Sequence, residues 1–399
     1  MTAAAPEANV NVVTSLVAAI PALEAVPTFI LYPALMLVGA VLATLFVSLF
    51  GLFAIWLERK VMAHIQCRLG PMEVGRHGWL QTLADGLKLL AKEDLIPKDA
   101  DKALFILAPI ISFAGAFMLY VVIPFDKNVI AADLNVGILY LAAVGSVEVV
   151  GIIMSGWSSN SKWSLFGSMR AAAQVVSYEL PLGLSLIPVV MLAGSLSTRD
   201  ICEAQAGWFW NWYLFANPFM PVLFLVYVVS SIAEVKRAPF DLPEAESELV
   251  SGFHTEYSGM RFSIFFLAEY AAMFGVSAIA SLAFLGGYQT GIPALDSIGG
   301  FLGGLIGVTT MILKSFVFVF VQMWVRFTLP RIRLDQMFHL CYKILLPFAF
   351  VCLLGVALWQ SVLPDRSLWF FPRPEAKTAI ETASAAPGGG ASVPGTVSR

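Results

Sequence analysis

The chain has 399 residues, is 58% hydrophobic and only 13% charged, and has a mean hydropathy of +0.80, which excludes a soluble domain of ordinary usage and makes lipid its solvent. A formal net charge of −3 is too small to point to nucleic acid or another polyanion. The four cysteines, Cys67, Cys202, Cys341 and Cys352, form no CxxC pair, which argues against an iron-sulfur cluster, a zinc site or a disulfide framework and leaves them a structural role.

Residues 1–27 lack the basic stretch of a signal peptide and are broken by Pro6, Pro21 and Pro27, so no cleavage is expected. Apolar runs of about 20 residues, the length a helix needs to cross the hydrocarbon core, then fall near 29–57, 103–124, 137–157, 171–193, 218–235, 262–285, 303–326 and 340–362. They predict an all-α, polytopic bundle of eight transmembrane helices over 28–362. The residues from 363 to 399, rich in Ala, Gly, Pro and Ser, read as a disordered tail. Apart from that tail, nearly all lysines and arginines lie in or beside the loops after the odd-numbered spans, 58–102, 158–170, 236–261 and 327–339. The opposite loops carry only Lys127 and Arg199, and Lys314 sits inside a span. By the positive-inside rule the basic loops are cytoplasmic and both termini periplasmic.

In the first of these loops Leu80, Leu83, Leu87 and Leu90 recur at i, i+3, i+7 and i+10, an amphipathic helix lying along the membrane surface, with Asp85 and Lys88 able to meet on its polar side. An interfacial anchor and the wall of a ligand chamber satisfy this pattern equally. Glu148, Glu179, Glu234 and Glu269 lie within or at the cytoplasmic ends of four successive spans. Carboxylates are costly there and therefore functional candidates. At 1.5 Å per residue, Glu148, Glu179 and Glu269 lie roughly 10–14 Å deep and Glu234 near the surface, so they could form one layer that holds and exchanges protons. Lys314 is a natural counter-charge for one of them. Asp241, Glu244, Glu246, Glu248 and Glu256 add an acidic loop interleaved with Pro239, Phe240, Leu242 and Leu249. On a helix begun after Pro243, Glu244 and Glu248 would share a face.

Gly299, Gly300, Gly303, Gly304 and Gly307 place small residues four apart at the start of the seventh span, which suits close approach to another helix. Neither GxGxxG after a strand nor GxxxxGK[ST] occurs. The four histidines sit in loops or at span ends, so the paired ligands of an intramembrane haem are missing. Any redox centre belongs to a partner.

The strings ERKVMAHIQCRLGP, LQTLADGLKLLAKE, SGWSSNSKWSLFGSMRAAAQVVSYE, EVKRAPFDLPEAESELVSGFHTEYSGMRFSIFFLAEY and VRFTLPRIRLDQMFHLCYKILLPF, in that order over 58–348, resemble the membrane component of respiratory complex I that abuts the peripheral arm, the proton-pumping NADH:quinone oxidoreductase's H-type subunit. Membrane-bound hydrogenases and ferredoxin-linked complexes share that ancestry, and a membrane anchor of that kind is the alternative reading. A stand-alone proton-coupled transporter is disfavoured because no half-to-half repeat is visible. The resemblance implies an eight-helix component of the bacterial inner membrane that walls a quinone tunnel together with quinone-module subunits of the peripheral arm and contacts neighbouring membrane-arm subunits and lipid. Quinone is then a substrate in a shared chamber; FMN and iron-sulfur clusters are expected only in partner subunits. Carried over by position, Arg59, Arg68, Asp85, Lys88, Arg170, Arg237, Phe262 and Phe266 match the tunnel or its mouth. The proton path matches Glu148, Glu179, Glu234, Asp241, Glu244, Glu246, Glu248, Glu256 and Glu269. The turn Pro71-Met-Glu73 departs from the pattern of many relatives, in which Pro-Asn is followed by a basic or apolar residue, so its local loop contacts are expected to differ.

Overall fold

The computed structural model describes residues 28–244 and 246–363; the expectations for 1–27 and for the tail after 363 concern residues outside them. Apart from single-turn helices, the helices are α1 (Thr28–Ile65), α2 (Gln81–Ala91), α3 (Lys102–Met118), α4 (Gly137–Ser158), α5 (Lys162–Ala193), the short α6 (Thr198–Glu203), α7 (Met220–Glu234), α8 (Gly259–Phe284), α9 (Gly300–Thr328) and α10 (Leu334–Val362). No strand occurs among the described residues, only an isolated bridge between Asp126 and Val129.

Seven helices are long and apolar enough to cross a membrane, α1, α3, α4, α5, α8, α9 and α10. The chain is thus a multi-pass membrane protein. The span expected at 218–235 is α7, whose 15 residues reach about 22 Å, short of the roughly 30 Å hydrocarbon thickness. Buried Tyr213, Ala216 and Asn217 precede it and Val235, Lys236, Arg237 and Phe240 follow it. Irregular backbone of this kind is tolerated at a membrane where protein shelters it.

α8 is the pillar of the bundle. From Tyr270 to Phe284 every residue is buried, and Ala271, Ala272, Gly275, Ser277, Ala278, Ala280, Ser281 and Ala283 keep it thin enough for α1, α3, α7 and α9 to pack around it. On one side α3, α4 and α5 stack in sequence order, and α7 and α10 close on α5. α1 faces outward along Leu37, Val41, Leu45 and Leu49, all exposed.

Prolines inside helices free carbonyls four residues earlier, and at Pro109 and Pro181 a neighbour takes up the freed group. Pro109 in α3 releases the Phe105 carbonyl, which accepts from the Tyr257 hydroxyl at 3.3 Å beneath stacked Phe105 and Tyr257 rings. Pro181 in α5 releases the Ser177 carbonyl, which accepts from the Cys341 thiol at 3.2 Å. Cys341 stands in a π-helical segment of α10, Leu340–Leu345, whose Tyr342 hydroxyl pairs with Ser177 Oγ at 3.0 Å. The structural role expected for this cysteine thus becomes a specific bond.

The glycines that open α9 do not meet another helix. A Cβ on Gly307 would lie 2.1 Å from the Asp126 carboxylate, and one on Gly303 would strike the Ile298 carbonyl, so a loop rather than a helix uses the space. A tight helix crossing lies elsewhere, between α3 and α4, where a Cβ on Gly151 would sit 2.6 Å from Ser112 N and one on Gly115 2.8 Å from Glu148 N. Backbone cannot yield as a side chain can, so Gly151→Ala should destabilise the protein by about 1–3 kcal/mol. Gly39→Ala, with open space around it, should not. Thermal unfolding of the two variants checks this; an unchanged midpoint in Gly151→Ala would show that the α3–α4 contact is not tight.

Candidate functional site

α1 does not stop where its apolar run stops. It continues to Ile65, so Glu58 and Arg59 lie on helix and, one residue apart, point to different sides. Glu58 turns inward and is buried. Its Oε2 accepts from Arg237 Nη1 at 2.6 Å and from the Tyr270 hydroxyl at 2.7 Å, and its Oε1 from Arg326 Nη1 at 2.5 Å. Arg237 Nε also lies 2.5 Å from Glu269 Oε1, with the guanidinium 4.3 Å above the Tyr270 ring. Burial works against the Arg237 charge, but Glu269 and then Glu58 outweigh it and hold the guanidinium well above its ordinary value. One ionic cluster therefore ties α1, the turn after α7, α8 and α9.

Arg59 faces α2, where Asp85 receives it at 2.5 Å, Lys88 at 3.6 Å and Gln81 at 3.3 Å. Burial alone would raise the Asp85 carboxyl, but the hydrogen bond and charge of Arg59 prevail and lower it. α2 packs against α1 and α8 and leaves Leu80, Leu83, Leu87 and Leu90 exposed. The turn at Pro71 is anchored as well, with Lys60 Nζ donating to the Pro71 carbonyl at 2.7 Å.

The turn after α7 is held from α5, where Gln174 Nε2 donates to the carbonyls of Ala233 and Phe240, both at 2.8 Å. Further on, Gly252 adopts φ +60 with its Cα against the Pro243 carbonyl, where a Cβ would lie 1.8 Å away, so only glycine makes this turn. The turn folds the acidic segment back over α5 and brings Glu244 to the head of α8. There a cavity of about 140 Å³ gathers Glu148, Lys236, Glu244, His254 and Glu269 beside Phe262 and Phe266. Lys236 is paired with Glu148. Burial, then the charges of Glu269 and Asp241, push the Glu244 carboxyl up to about 8. Burial also pulls His254 down to about 4, so it is neutral near pH 7 and its 3.8 Å approach to Glu244 is not an ion pair there.

A second, larger cavity of about 400 Å³ lies between α4, α5, α7 and α8 and is walled by leucines and valines with Glu179, Glu234, Tyr227 and Tyr342 among them. Glu234 lines this second cavity on the side of Glu148. Its Oε1 is 3.3 Å from where a Cβ on Gly145 would be, one turn along α4 from Glu148, and it feels the charges of both Glu148 and Glu179.

Other expected residues fall elsewhere. Arg68 is exposed and donates to Gln66 at 2.7 Å. Arg170 pairs with Glu248 at 2.5 Å near the surface. Glu244 and Glu248 do not share a helical face, because the helix there is a single turn, Glu246–Leu249, that begins after Glu244; the glycine turn, not a helix, places Glu244. The Glu246 side chain lies outside those described. Asp241 pairs with Arg331 at 3.2 Å, and its carboxyl is raised because burial exceeds the pull of Arg331 and Arg326. Glu256 is half-buried and lines neither cavity. Lys314 is not a counter-charge for a glutamate. At the opposite end of the bundle its ammonium donates to the carbonyls of Leu285, Gly287 and Gln289 at 2.6, 3.1 and 2.5 Å and lies 4.3 Å from the Trp212 ring, caring for the free carbonyls past the end of α8.

The NADH dehydrogenase family model matches residues 36–357. The chain is 50% identical to the NADH-quinone oxidoreductase H-subunit of Chlorobaculum parvum over 337 residues, 82% of this chain and 93% of that one. The chain belongs to the H-subunit family of NADH-quinone oxidoreductase. The H-subunits of Bacillus mycoides, 50% identical over 81% of this chain and 93% of theirs, and of Anaeromyxobacter dehalogenans, 46% identical over 81% and 82%, are similar across the same region.

Within this H-subunit fold, the residues that reading the sequence passed over are Glu58, Lys236, His254, Tyr270 and Arg326. Glu58 was available in the ERK string, but its helix outruns the apolar segment and the charge was counted as loop. Nothing local announces that Arg326, 268 positions away, meets it.

Two outcomes follow from the cluster and the cavity. Glu58→Gln leaves the buried Arg237 and the half-buried Arg326 short of their carboxylate and should cost about 3–5 kcal/mol, read as a lowered thermal midpoint and less assembled protein; normal stability would make the cluster dispensable. Because Glu244 is raised from its ordinary 4.5 to about 8, the folded state holds a proton that the unfolded state releases, so stability falls as pH rises across that window. Glu244→Gln should therefore gain on the wild type between those values, and the wild-type infrared band of protonated carboxyl should fade as pH passes about 8. A band already absent near pH 6 would mean that Glu244 is ionised throughout.

Proposed function

We propose that the chain acts within a proton-translocating NADH:quinone oxidoreductase of the bacterial inner membrane, walling the quinone chamber and coupling quinone reduction to proton movement through buried carboxylates. The observation that carries this is Glu234, which lines the apolar cavity together with Glu179 and lies in the field of Glu148 from the charged cavity at the head of α8. The carboxylates then run in the order Glu244, Glu269, Glu148, Glu234, Glu179. Phe262 and Phe266, with rings 6.0 Å apart, supply an apolar wall suited to an isoprenoid tail next to the charged end of that run. The Arg59–Asp85 pair and the exposed leucines of α2 supply a polar and an apolar edge at the surface.

Quinone is the substrate, and its electrons come from partner subunits of the peripheral arm, where FMN and iron-sulfur clusters belong. Reduction to quinol consumes protons. Neighbouring carboxylates, like-charged and withdrawn from water, hold protons near neutral pH and yield them when the charge beside them changes. A change at Glu244 or Glu269 reaches Glu179 through Glu148 and Glu234 because each lies in the field of the next. Basic loops at the charged end favour the cytoplasm for that end and the periplasm for both termini. Residues 28–362 then form one membrane domain between two terminal segments.

The test uses the assembled complex in sealed vesicles. Glu179→Gln and Glu269→Gln keep shape but remove the titrating group, so assembly should survive while quinone-dependent NADH oxidation and proton uptake fall together by about tenfold or more, the scale of a lost proton-transfer group. Asp85→Asn should lower quinone reduction and leave reduction of an artificial acceptor by the peripheral arm intact. Wild-type turnover and pumping in both Gln variants would reduce these glutamates to polar contacts between helices.

A further inference from the structure

Lys236 has no part in the carboxylate path, yet its ammonium is buried in the middle of it, with a side chain only 5% exposed. It is the second residue past α7, and its backbone stands at φ +59, a left-handed conformation that long side chains avoid. The turn is locked, with Lys236 N donating to the Ala233 carbonyl at 3.2 Å, Arg237 N to Ile232 at 3.3 Å, and Gln174 fastening both flanks. Glycine would make this turn without strain, so the turn alone does not account for a lysine. The side chain does. It enters the cavity between α4 and α8 and meets Glu148.

Every charged group facing Lys236 can be named. Glu148 comes from α4, Glu269 from α8, Glu244 from the acidic segment, and Glu234 stands on α7 just before the turn. Arg237 adjoins it but is pinned between Glu58 and Glu269 and stacked on Tyr270. His254 is neutral near pH 7. Burial works against the Lys236 charge, but Glu148, with Glu269 and Glu244 behind it, outweighs this and keeps the ammonium charged. The two cations therefore differ in kind. Arg237 is a planar group fixed by several partners, whereas Lys236 is a point charge on a flexible stem with one hydrogen-bonded carboxylate and two more in the same cavity.

We propose that Lys236 is a positioning residue for proton transfer, a mobile counter-charge whose ammonium is shared between Glu148 on the membrane side and Glu244 and Glu269 on the chamber side. When Glu148 takes a proton it loses its hold, and the ammonium moves to a carboxylate still ionised at the chamber. When the chamber carboxylates are protonated it returns. The proton and the ammonium thus occupy opposite sides of the cavity in turn, and no redox partner is needed. This rests on the carboxylate path proposed above.

The experiment compares Lys236→Met and Lys236→Arg in the assembled complex, measuring quinone-dependent NADH oxidation against pH. Removing the cation lets the remaining carboxylates keep their protons to higher pH, so in Lys236→Met turnover should fall about tenfold and the alkaline limb of the profile should move up by about one pH unit. Lys236→Arg, which keeps the charge, should leave the limb in place and recover most of the rate. A Lys236→Met profile with an unmoved limb, or Lys236→Arg no better than Lys236→Met, overturns the proposal. Should Lys236→Met fail to assemble, the Lys236→Met/Glu148→Gln double variant removes charge and counter-charge together and is compared with Glu148→Gln alone. A limb displaced upward supports the mobile charge, and coincident limbs overturn it. Glu179→Gln, outside this cavity, separates the two ideas: lost pumping there beside an unmoved Lys236→Met limb keeps the path and removes the lysine, whereas normal pumping there removes the path itself.

Discussion

The Glu58 carboxylate is the point on which the charged end of the bundle closes. Four parts of the chain that share no sequence neighbourhood, α1, the turn after α7, α8 and α9, are joined there by Arg237, Tyr270 and Arg326 on one carboxylate and by Glu269 on the same arginine. Ions withdrawn from water this far are tolerable only when each is paired with an opposite charge. The requirement is geometric as well as energetic. To pair all of them at once, α1 must continue past its apolar run, α8 must present Tyr270 and Glu269 one residue apart, and the turn after α7 must be short enough to hold Arg237 between them.

The same rule, that polar groups inside a membrane protein find partners within the protein, explains how the rest of the bundle is indexed. The carbonyls that Pro109 and Pro181 release are taken by Tyr257 and Cys341 from other elements. Tyr178 donates to the Met337 carbonyl at 3.0 Å and fixes the start of α10 against α5. At the opposite end, Lys314 does for α8 what Gln174 does for α7, supplying donors to carbonyls at a helix end. Each of these bonds sets the axial position of one helix against another, which apolar packing in lipid specifies poorly.

The membrane class, seven of the spans and the surface helix were legible because they depend on composition and on period, both local properties. The fifth span was placed to within two residues, but that it is too short to cross unaided was not, because the buried flanks that shelter it come from distant residues. The acidic residues were legible as a set and not as an arrangement. Glu248 looked equivalent to Glu244 in the same run, yet one is paired with Arg170 near the surface and the other is buried, and the difference arises from the backbone at Gly252 meeting Pro243. Lys314 misled for a related reason. Hydropathy marks a cation within a span but not the end of the membrane at which its ammonium finds carbonyls.

Charge balance links the structural cluster to the cavity beside it. Glu58, Glu148, Glu234, Glu244 and Glu269 face Lys236, Arg237 and Arg326, so with every acid ionised two negative charges are left uncompensated away from water. Protons close the balance, and Glu244, raised to about 8 by burial and by Glu269 and Asp241, is the loop carboxyl that carries one near neutral pH. That proton is therefore a requirement of the fold's electrostatics as much as a feature of one side chain. The fixed members, Glu58, Arg237 and Arg326, cannot respond to a new charge without breaking the joint between helices. The response falls to the members that are not pinned, the protons on the carboxylates and the ammonium of Lys236, and this division between a rigid clamp and a small adjustable remainder lets one cavity be both structural and responsive.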